Sequence, residues 1–195
     1  MIIIALRNII CLIGLTLITP FLMLCCCFIF IEDGLPFLFK QERLGCNQKL
    51  FTIFKLRTIK NYSPQVGTHE LGNEYKLKIG LVIRTLKLDE FPQLLNVLIG
   101  DLNLVGPRPG LNSQEELKAV RELQEVFRVK PGITGLSQIL GHDMSDPAKL
   151  AKIDSIYIQN QSYKLDIMIL LGTFLSSPKN YLASKFDIPN LKKTR

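Results

Sequence analysis

The chain has 195 residues, of which 47% are hydrophobic and 21% charged, and its formal net charge is +7. This length suits one compact body with its own core and excludes a series of independent domains. The positive charge favours anionic partners, which include phospholipid headgroups, phosphate-bearing substrates and nucleic acid, and charge alone does not choose among them.

The first predicted element is an apolar helix. No charged side chain occurs from Asn8 to Ile31, and a helix of that length covers the hydrocarbon core of a bilayer. Pro20, preceded by Thr19, removes a backbone donor in the middle of this run, so we expect a kink there. Basic residues flank both ends, so the positive-inside rule gives no orientation. From the residues alone, a simple span and a hairpin that enters and leaves on one face both stay open.

The body that follows is predicted to be mostly helical. Leu50 to Ile59 mixes β-branched and aromatic residues in an alternating pattern, which predicts a strand. Residues 61–73 contain a proline and two glycines and are predicted to form a loop. A short helix is predicted from Glu90 to Ile99.

A clearer helix is predicted after Leu111. Ser113 can cap it, and Glu116, three positions later, completes a capping box. Its apolar residues recur at helical spacing. The predicted buried face consists of Leu117, Val120, Leu123 and Phe127.

Two further apolar segments complete the chain. Asp146 followed by Pro147 predicts the start of a helix that runs to about Gln161. Its inward residues are expected to be Leu150, Ile153 and Tyr157. The stretch from Leu165 to Leu175 is too short to span a membrane, so it either packs in the core or lies at the membrane surface.

The densest group of charged residues lies between Arg84 and Pro109. Asp89 and Glu90 stand there between two arginines, Arg84 and Arg108. A carboxylate can attack phosphorus, a second carboxylate can hold a divalent metal, and cations can balance charge on phosphoryl oxygens. The Gly-Pro-Arg-Pro turn would hold a guanidinium rigidly for bidentate phosphate contact. Taken alone, Asp89 also reads as an ordinary helix N-cap.

Three other residues are candidate substrate ligands. Lys55 and Arg57 add cations, although they equally fit a solvated basic strand edge. The loop from Val129 to Gly135 contains two glycines and can cradle an anion or serve as a plain turn. Gln138, just beyond it, can hydrogen-bond a substrate.

Four motifs in order, covering nearly the whole chain, resemble the bacterial sugar transferases, or monotopic phosphoglycosyl transferases. They are the N-terminal apolar segment with its central proline, FKLRT at 54–58, LDEFPQLLNVLIGDLNLVGPRP at 88–109 and VKPGITG at 129–135. The chain shows no additional N-terminal membrane bundle and so resembles the minimal catalytic form of the family.

The resemblance implies an α-rich α+β fold with little β structure. Residues 1–31 would form a re-entrant membrane-anchoring helix, broken at Thr19-Pro20, with both ends facing the cytoplasm. Residues 32–195 would form a compact, mostly helical catalytic domain with surface amphipathic helices, located at the cytoplasmic face of the bacterial inner membrane.

The resemblance also implies a reaction. A sugar-1-phosphate would pass from a UDP-sugar, expected to be an N-acetylated hexose, to polyprenyl (undecaprenyl) phosphate with release of UMP, as the first membrane step of O-antigen, capsule or glycoprotein glycan assembly. Asp89 would be the nucleophile and form an aspartyl-phosphosugar. Glu90, with Asp89, would bind Mg²⁺ and assist proton removal. The implied ligands of nucleotide and phosphates are Lys55, Arg57, Arg84 and Arg108, with Gln138 as a further substrate ligand.

Some residues depart from the common family pattern. Leu81 replaces a frequent basic residue, Leu136-Ser137 stands where an aromatic residue often precedes the glutamine, and Leu140-Gly141-His142 replaces a more polar stretch. These positions lie in or near regions expected to contact the sugar, so the sequence determines the identity of the sugar less well than the rest of the reaction.

Two other functions stay open. A membrane-tethered glycosyltransferase would release UDP instead of UMP, and a non-enzymatic membrane-bound interaction protein would use Asp89 only as a helix cap. The expected partners are the UDP-sugar, polyprenyl phosphate and inner-membrane phospholipid. A homodimer is an option, and no nucleic acid partner is expected.

Overall fold

The computed structural model describes residues 2–63 and 72–189, and within them the chain is mainly helical with little strand, as predicted. The helices are α1 (Ile2–Asp33), α2 (Lys78–Thr85), α3 (Gln93–Ile99), α4 (Glu115–Leu123), α5 (Leu136–Leu140), α6 (Pro147–Gln159), α7 (Tyr163–Phe174) and α8 (Ser176–Lys185). The strands are β1 (Leu38–Leu44), β2 (Leu50–Leu56), β3 (Asn103–Val105) and β4 (Gly132–Thr134). Residues 64–71 of the predicted loop lie outside the described residues.

The strands form two small sheets. β1 pairs with β2, which confirms the strand predicted in that region, and β3 pairs in parallel with β4. Asn103 lies opposite Gly132 in the second sheet. A Cβ at Gly132 would lie 2.1 Å from the backbone nitrogen of Gly106, so only glycine allows this close approach.

Contacts divide the chain into two compact units. The first comprises Met1–Gln41 and Thr52–Ile99, and the second comprises Glu42–Phe51 and Gly100–Arg195. Helices α1 to α3 therefore belong to the first unit, and α4 to α8 belong to the second. The predicted boundary between an anchor at 1–31 and a catalytic domain at 32–195 concerns membrane contact and stays a prediction.

Helix α1 has the properties of a membrane anchor. It contains 32 residues, which at the helical rise make it about 48 Å long, more than the hydrocarbon thickness of ~30 Å. By length and composition, Ile4–Asp33 can cross a membrane. Most of its large apolar side chains are exposed, such as Leu17 at 70%, whereas Cys25 and Ile29 are buried against the first unit.

Pro20 lies inside α1, and the helix continues through it. The helical assignment thus runs across Thr19-Pro20, and the kink and the break expected there stay predictions. The hydroxyls of Thr16 and Thr19 donate to carbonyl oxygens one turn earlier, at 2.9 and 2.7 Å, beside the position where proline removes a donor. A continuous helix is compatible with both a span and a re-entrant arrangement, so the topology stays a prediction.

Helices α5 to α8 together build an apolar core in the second unit. Leu140, Tyr157, Ile169 and Leu182 are each at most 1% exposed in this core. The hydroxyl of Tyr157 donates to Asp166 at 2.8 Å, so the buried phenol keeps a partner. The core holds α5 and α6 in place, and these helices carry the polar side chains Gln138 and Asp154.

Helix α6 follows the prediction closely. The carboxylate of Asp146 accepts a hydrogen bond from the backbone nitrogen of Lys149 at 3.0 Å, and Pro147 occupies the first turn. The residues predicted to face inward are buried. A strong local start signal therefore sufficed to place this helix.

Two details predicted for the helix after Leu111 are wrong. Helix α4 begins at Glu115 with Gln114 at the N-cap position, so Ser113 lies one residue too early to cap it. The side chain of Gln114 accepts a hydrogen bond from Leu111 N in the preceding turn. Leu123 is 81% exposed. It lies six positions after the buried Leu117, about 240° around the helix, so it faces away from the core.

The apolar stretch from Leu165, predicted either to pack in the core or to lie at the membrane surface, forms helix α7, which has one buried and one exposed apolar side. Leu165 and Ile169 are buried in the core. Ile167, Leu171 and Phe174 are instead exposed, at 57%, 47% and 78%. One side of α7 thus packs in the core, and the other presents an apolar surface.

Candidate active site

Asp89 and Glu90 lie together in one short turn of 3-10 helix, Leu88–Glu90, in the first unit. Lys87 has a φ of 56°, a left-handed conformation that ends α2 and redirects the chain into this turn. Helix α3 begins only at Gln93, and the carboxylate of Asp89 bonds to its own backbone amide. Asp89 is therefore not the N-cap of α3.

The environment of Asp89 disfavours its negative charge. Burial raises the pKa of the Asp89 carboxyl, and the adjacent Glu90 carboxylate raises it further. Lys55 and Arg84 lower this pKa, but the net shift is upward. An ionised carboxylate in such a place costs folding stability, and perturbations of this kind are common at catalytic sites.

Two cations of the first unit adjoin the carboxylate pair. Lys55 on β2 forms an ion pair with Glu90, at 3.5 Å between Nζ and Oε1. Arg84 lies in the last turn of α2, and its positive charge lowers the pKa of Asp89. Its Nε donates to the hydroxyl of Thr58 at 2.7 Å. That bond uses one of the five N–H donors of the guanidinium. The structure thus brings together four of the predicted site residues.

A buried asparagine ties α3 to the strand that carries Lys55. Asn96 is 0% exposed, and its side chain accepts a hydrogen bond from Phe54 N at 3.2 Å and donates one to Thr52 O at 2.7 Å. The Asn96 side chain therefore pairs with a backbone N–H and a carbonyl of β2, as the backbone of a neighbouring strand would. This contact fixes the position of Lys55, which follows Phe54 directly.

Helix α2 approaches the backbone of Thr58 closely. A Cβ on Gly80 would lie 2.5 Å from the carbonyl oxygen of Thr58, and Leu77 N donates to that same oxygen at 3.1 Å. Glycine at position 80 permits this packing. The approach sets the distance from Arg84 to the Thr58 hydroxyl.

Arg57, predicted to bind substrate, has a different role in this structure. It is 5% exposed, and all five of its N–H donors have acceptors within the first unit. The acceptors are the Asp33 carboxylate and the carbonyl oxygens of Asp33, Gly34, Pro36 and Ile59. No donor remains for a phosphate. Arg57 instead fastens the C-terminal end of α1 to the segment after β2.

Arg108 lies in the turn 106–109 of the second unit. Pro107 and Pro109 fix the backbone on both sides of it, and its carbonyl oxygen accepts a hydrogen bond from Arg121 Nη1 at 2.8 Å. Arg43 donates to Pro109 O at 3.3 Å. Burial, and then the charge of Arg108, lower the pKa of Arg43 to about 10. A second guanidinium thus adjoins Arg108, which makes the turn attractive to anions.

Gln138 lies on α5, beyond the glycine-rich loop of the second unit. Its Nε2 donates to Ile133 O at 3.2 Å, and its Oε1 is buried without a hydrogen-bond partner among the described residues. A Cβ on Gly135 would lie 3.1 Å from this oxygen. Gln138 therefore supports the loop, and its role as a substrate ligand stays a prediction.

The carboxylate pair with its cations is suited to phosphate chemistry. Mg²⁺ is commonly held by one or two carboxylates together with substrate phosphates and water. Asp89 and Glu90 fit that donor set, and Glu90 retains partial exposure, with 27% of its side chain accessible. Within residues 2–63 and 72–189, no group of three or more His, Cys, Asp or Glu side chains lies together. A metal here would complete its coordination with substrate oxygens and water.

Comparison with known proteins decides the family. The sequence profile described as bacterial sugar transferase matches residues 3–179. The chain belongs to this family. As a sugar transferase it is an enzyme, and several of its relatives are named as undecaprenyl-phosphate sugar phosphotransferases.

Three relatives illustrate the similarity. A sugar transferase of Bacillus subtilis, EpsL, is 43% identical over 73% of this chain and 70% of its own length. The UDP-glucose:undecaprenyl-phosphate glucose-1-phosphate transferase of Caulobacter vibrioides is 36% identical over 80% of this chain and 62% of its own length. The UDP-N-acetylgalactosamine-undecaprenyl-phosphate N-acetylgalactosaminephosphotransferase of Aeromonas hydrophila is 34% identical over 83% of this chain.

Coverage differs between these relatives. The chain spans 40% of the Aeromonas protein and less than two thirds of the Caulobacter protein. Substrates named for these longer proteins therefore enter only as a basis for a proposal.

Sequence reasoning missed several buried polar residues, which lie in one or the other of the two units. Asn96 is one polar residue in the otherwise apolar helix QLLNVLI, and that exception is a usable signal for a buried hydrogen bond. Asp33 and Arg121 carried no comparable signal, because an acidic residue after an apolar helix and an arginine in a charged helix both look solvent-exposed.

Proposed function

We propose that this sugar transferase moves a sugar-1-phosphate from a UDP-sugar to polyprenyl phosphate and releases UMP. The observation that carries the proposal is the half-buried Asp89 carboxylate, whose pKa is raised beside Glu90 while Lys55 and Arg84 adjoin the pair. The relatives named as undecaprenyl-phosphate transferases support the same acceptor.

In the first step, a carboxylate oxygen of Asp89 attacks the phosphorus that bears the sugar. An Asp89 oxygen–phosphorus bond forms, the bond from that phosphorus to the bridging oxygen breaks, and UMP leaves with the electron pair. Desolvation makes the ionised carboxylate more reactive than one in water. Lys55 and Arg84 balance the charge that spreads over the phosphoryl oxygens.

In the second step, an oxygen of polyprenyl phosphate attacks the same phosphorus. The aspartyl bond breaks and restores the Asp89 carboxylate, and the product is a polyprenyl diphosphate that carries the sugar. Glu90 accepts the proton if the acceptor phosphate arrives protonated. Two successive transfers predict ping-pong kinetics.

A divalent cation fits this site, with Asp89 and Glu90 as its protein ligands. Mg²⁺, when bound, supplies positive charge to the phosphate oxygens. Glu90 keeps its ion pair with Lys55 nearby, so the protein itself orients the carboxylate. We expect activity to require a divalent cation and to be lost with a chelator.

The sugar is a hexose attached to UDP in this proposal. The relatives' names include glucose and N-acetylgalactosamine, so the expected N-acetylated hexose is one choice within that range. We place the catalytic site at the cytoplasmic face of the inner membrane, where α1 contacts phospholipid and nucleotide sugars are available. A homodimer stays a prediction that mass measurement in nanodiscs tests.

The test is identification of the released nucleotide. Protein in nanodiscs is incubated with undecaprenyl phosphate, Mg²⁺ and a panel of UDP-sugars, for the wild type and Asp89→Asn. We expect UMP from the wild type and none from Asp89→Asn. The matched control is Asp187→Asn, because Asp187 is exposed and its φ of 51° also suits asparagine.

Other outcomes would favour the alternatives. Release of UDP would make the protein an ordinary glycosyltransferase. No release of either nucleotide by the folded wild type, with any donor in the panel, would contradict the proposed reaction.

A further inference from the structure

The turn that carries Arg108 is held at four consecutive backbone carbonyls. Each carbonyl oxygen from residue 107 to residue 110 accepts a hydrogen bond from another part of the second unit. The four donor–acceptor pairs are Gly132 N to Pro107 O (2.9 Å), Arg121 Nη1 to Arg108 O (2.8 Å), Arg43 Nη1 to Pro109 O (3.3 Å) and Leu44 N to Gly110 O (2.9 Å). Such complete bracing leaves the turn little freedom.

The brace on Arg108 comes from a buried ionic group. Arg121 of α4 and Asp154 of α6 are each 2% exposed. Arg121 Nη2 donates to Asp154 Oδ2 at 2.6 Å, and the Ser137 hydroxyl donates to Asp154 Oδ1 at 3.0 Å. The guanidinium therefore links the core carboxylate on one side to the carbonyl of Arg108 on the other.

Stability alone is a weak reason for this ionic group. Burying two charges costs desolvation free energy, and apolar residues of similar volume in such places are often equally stable or better. Arg121 Nε is also buried without a hydrogen-bond partner among the described residues, which costs further desolvation free energy. Apolar residues at 121 and 154 would lack one property, namely the donor to the Arg108 carbonyl.

We propose that Arg121, held by Asp154, is a positioning residue that fixes the direction in which Arg108 presents its guanidinium to the phosphates of the sugar donor. This inference rests on the proposed function and on the expectation that Arg108 binds a phosphate of the diphosphate donor. A bidentate guanidinium–phosphate contact needs accurate placement, so a small rotation of the turn weakens it.

The first test replaces the ion pair with apolar residues. Arg121→Met with Asp154→Leu in one chain keeps the core filled and removes the brace. We expect a thermal midpoint near that of the wild type, a KM for the UDP-sugar raised about tenfold and a smaller change in kcat. Arg128→Gln, which breaks the exposed pair with Glu125, is the control and should change neither value.

The second test asks whether Arg121 acts through Arg108. Adding Arg108→Gln to the apolar pair should raise KM no further than Arg108→Gln does alone, because both changes remove the same contact. Independent, additive losses would contradict the proposal. An unchanged KM in the folded apolar variant would also overturn it.

A conservative variant keeps the proposal falsifiable if the apolar pair does not fold. Arg121→Lys retains the charge opposite Asp154 but cannot bridge two acceptors with a planar fork. It should fold and show the same rise in KM. Failure of both variants to fold would show that the pair serves stability, which overturns the proposal. UMP release by the wild type with KM unchanged in folded variants would refute this inference while leaving the proposed function intact.

Discussion

Two charged clusters of the first unit use similar residues in opposite ways. Around Arg57, every donor has an acceptor and the Asp33 carboxylate is paired, so the group is closed within the protein. Around Asp89, two carboxylates lie side by side, the net pKa shift of Asp89 is upward and Arg84 spends one donor on Thr58. Closed hydrogen bonding marks a structural joint, and a carboxyl group whose burial and neighbouring carboxylate raise its pKa marks the candidate catalytic group.

The largest effect on stability is expected at the closed cluster. Arg57→Gln leaves the Asp33 carboxylate without its cation, and breaking such a buried pair costs about 3 kcal/mol of unfolding free energy. Denaturant unfolding in detergent measures this loss. The folded fraction should keep the wild-type KM for the UDP-sugar. Lys118→Gln, which breaks the exposed pair with Glu115, is the matched control and should cost under about 1 kcal/mol.

The same arginine-to-glutamine substitution in the cluster around Asp89 should lower activity instead of stability. Arg84→Gln removes a cation that balances phosphoryl charge, so kcat/KM should fall about 10- to 100-fold with little change in unfolding. Steady-state UMP release and the thermal midpoint are measured on the same sample. A loss of stability as large as that of Arg57→Gln would show that Arg84 is structural too, and the comparison between the clusters would fail.

The pH dependence of activity sharpens the comparison further. Catalysis needs ionised Asp89, so kcat/KM should fall as pH drops through its raised pKa. Lys55 lowers that pKa, so Lys55→Met should raise it and move the acid limb of the profile to higher pH. Lys152→Gln, at an exposed position on α6, should leave the limb in place. A limb that moves to lower pH in Lys55→Met would contradict the assignment.

The smallest expected effect is a gain of stability at the catalytic aspartate. A raised folded-state pKa means that the contribution of Asp89 is most favourable at low pH and is lost as pH rises through that value. Asp89→Asn should therefore have a higher thermal midpoint than the wild type at neutral pH and an equal one in acid. Equal midpoints for Asp89→Asn and the wild type at all pH values would mean that the environment of Asp89 does not disfavour its ionised form.

Local signals in the sequence predicted part of this arrangement. Asp146 and Pro147 placed α6 because capping acts within one turn, and the motif around Asp89 located the carboxylate pair. The role of Arg57 was not predictable, since four of its five hydrogen bonds go to residues 33–36, distant in sequence, and FKLRT gives no sign of them. Ser113 is not the cap because helix α4 starts one residue later than predicted, with Gln114 at the N-cap position, and helix ends are poorly determined by local sequence.

The most direct test of the central claim is the half-reaction. Wild-type protein is mixed with UDP-sugar and Mg²⁺ in nanodiscs that contain no polyprenyl phosphate, and both UMP and intact protein mass are followed. We expect a burst of UMP no larger than the amount of enzyme, with a sugar phosphate added to the wild type and absent from Asp89→Asn. UMP that forms only after polyprenyl phosphate is added, with no change in protein mass, would contradict an aspartyl intermediate.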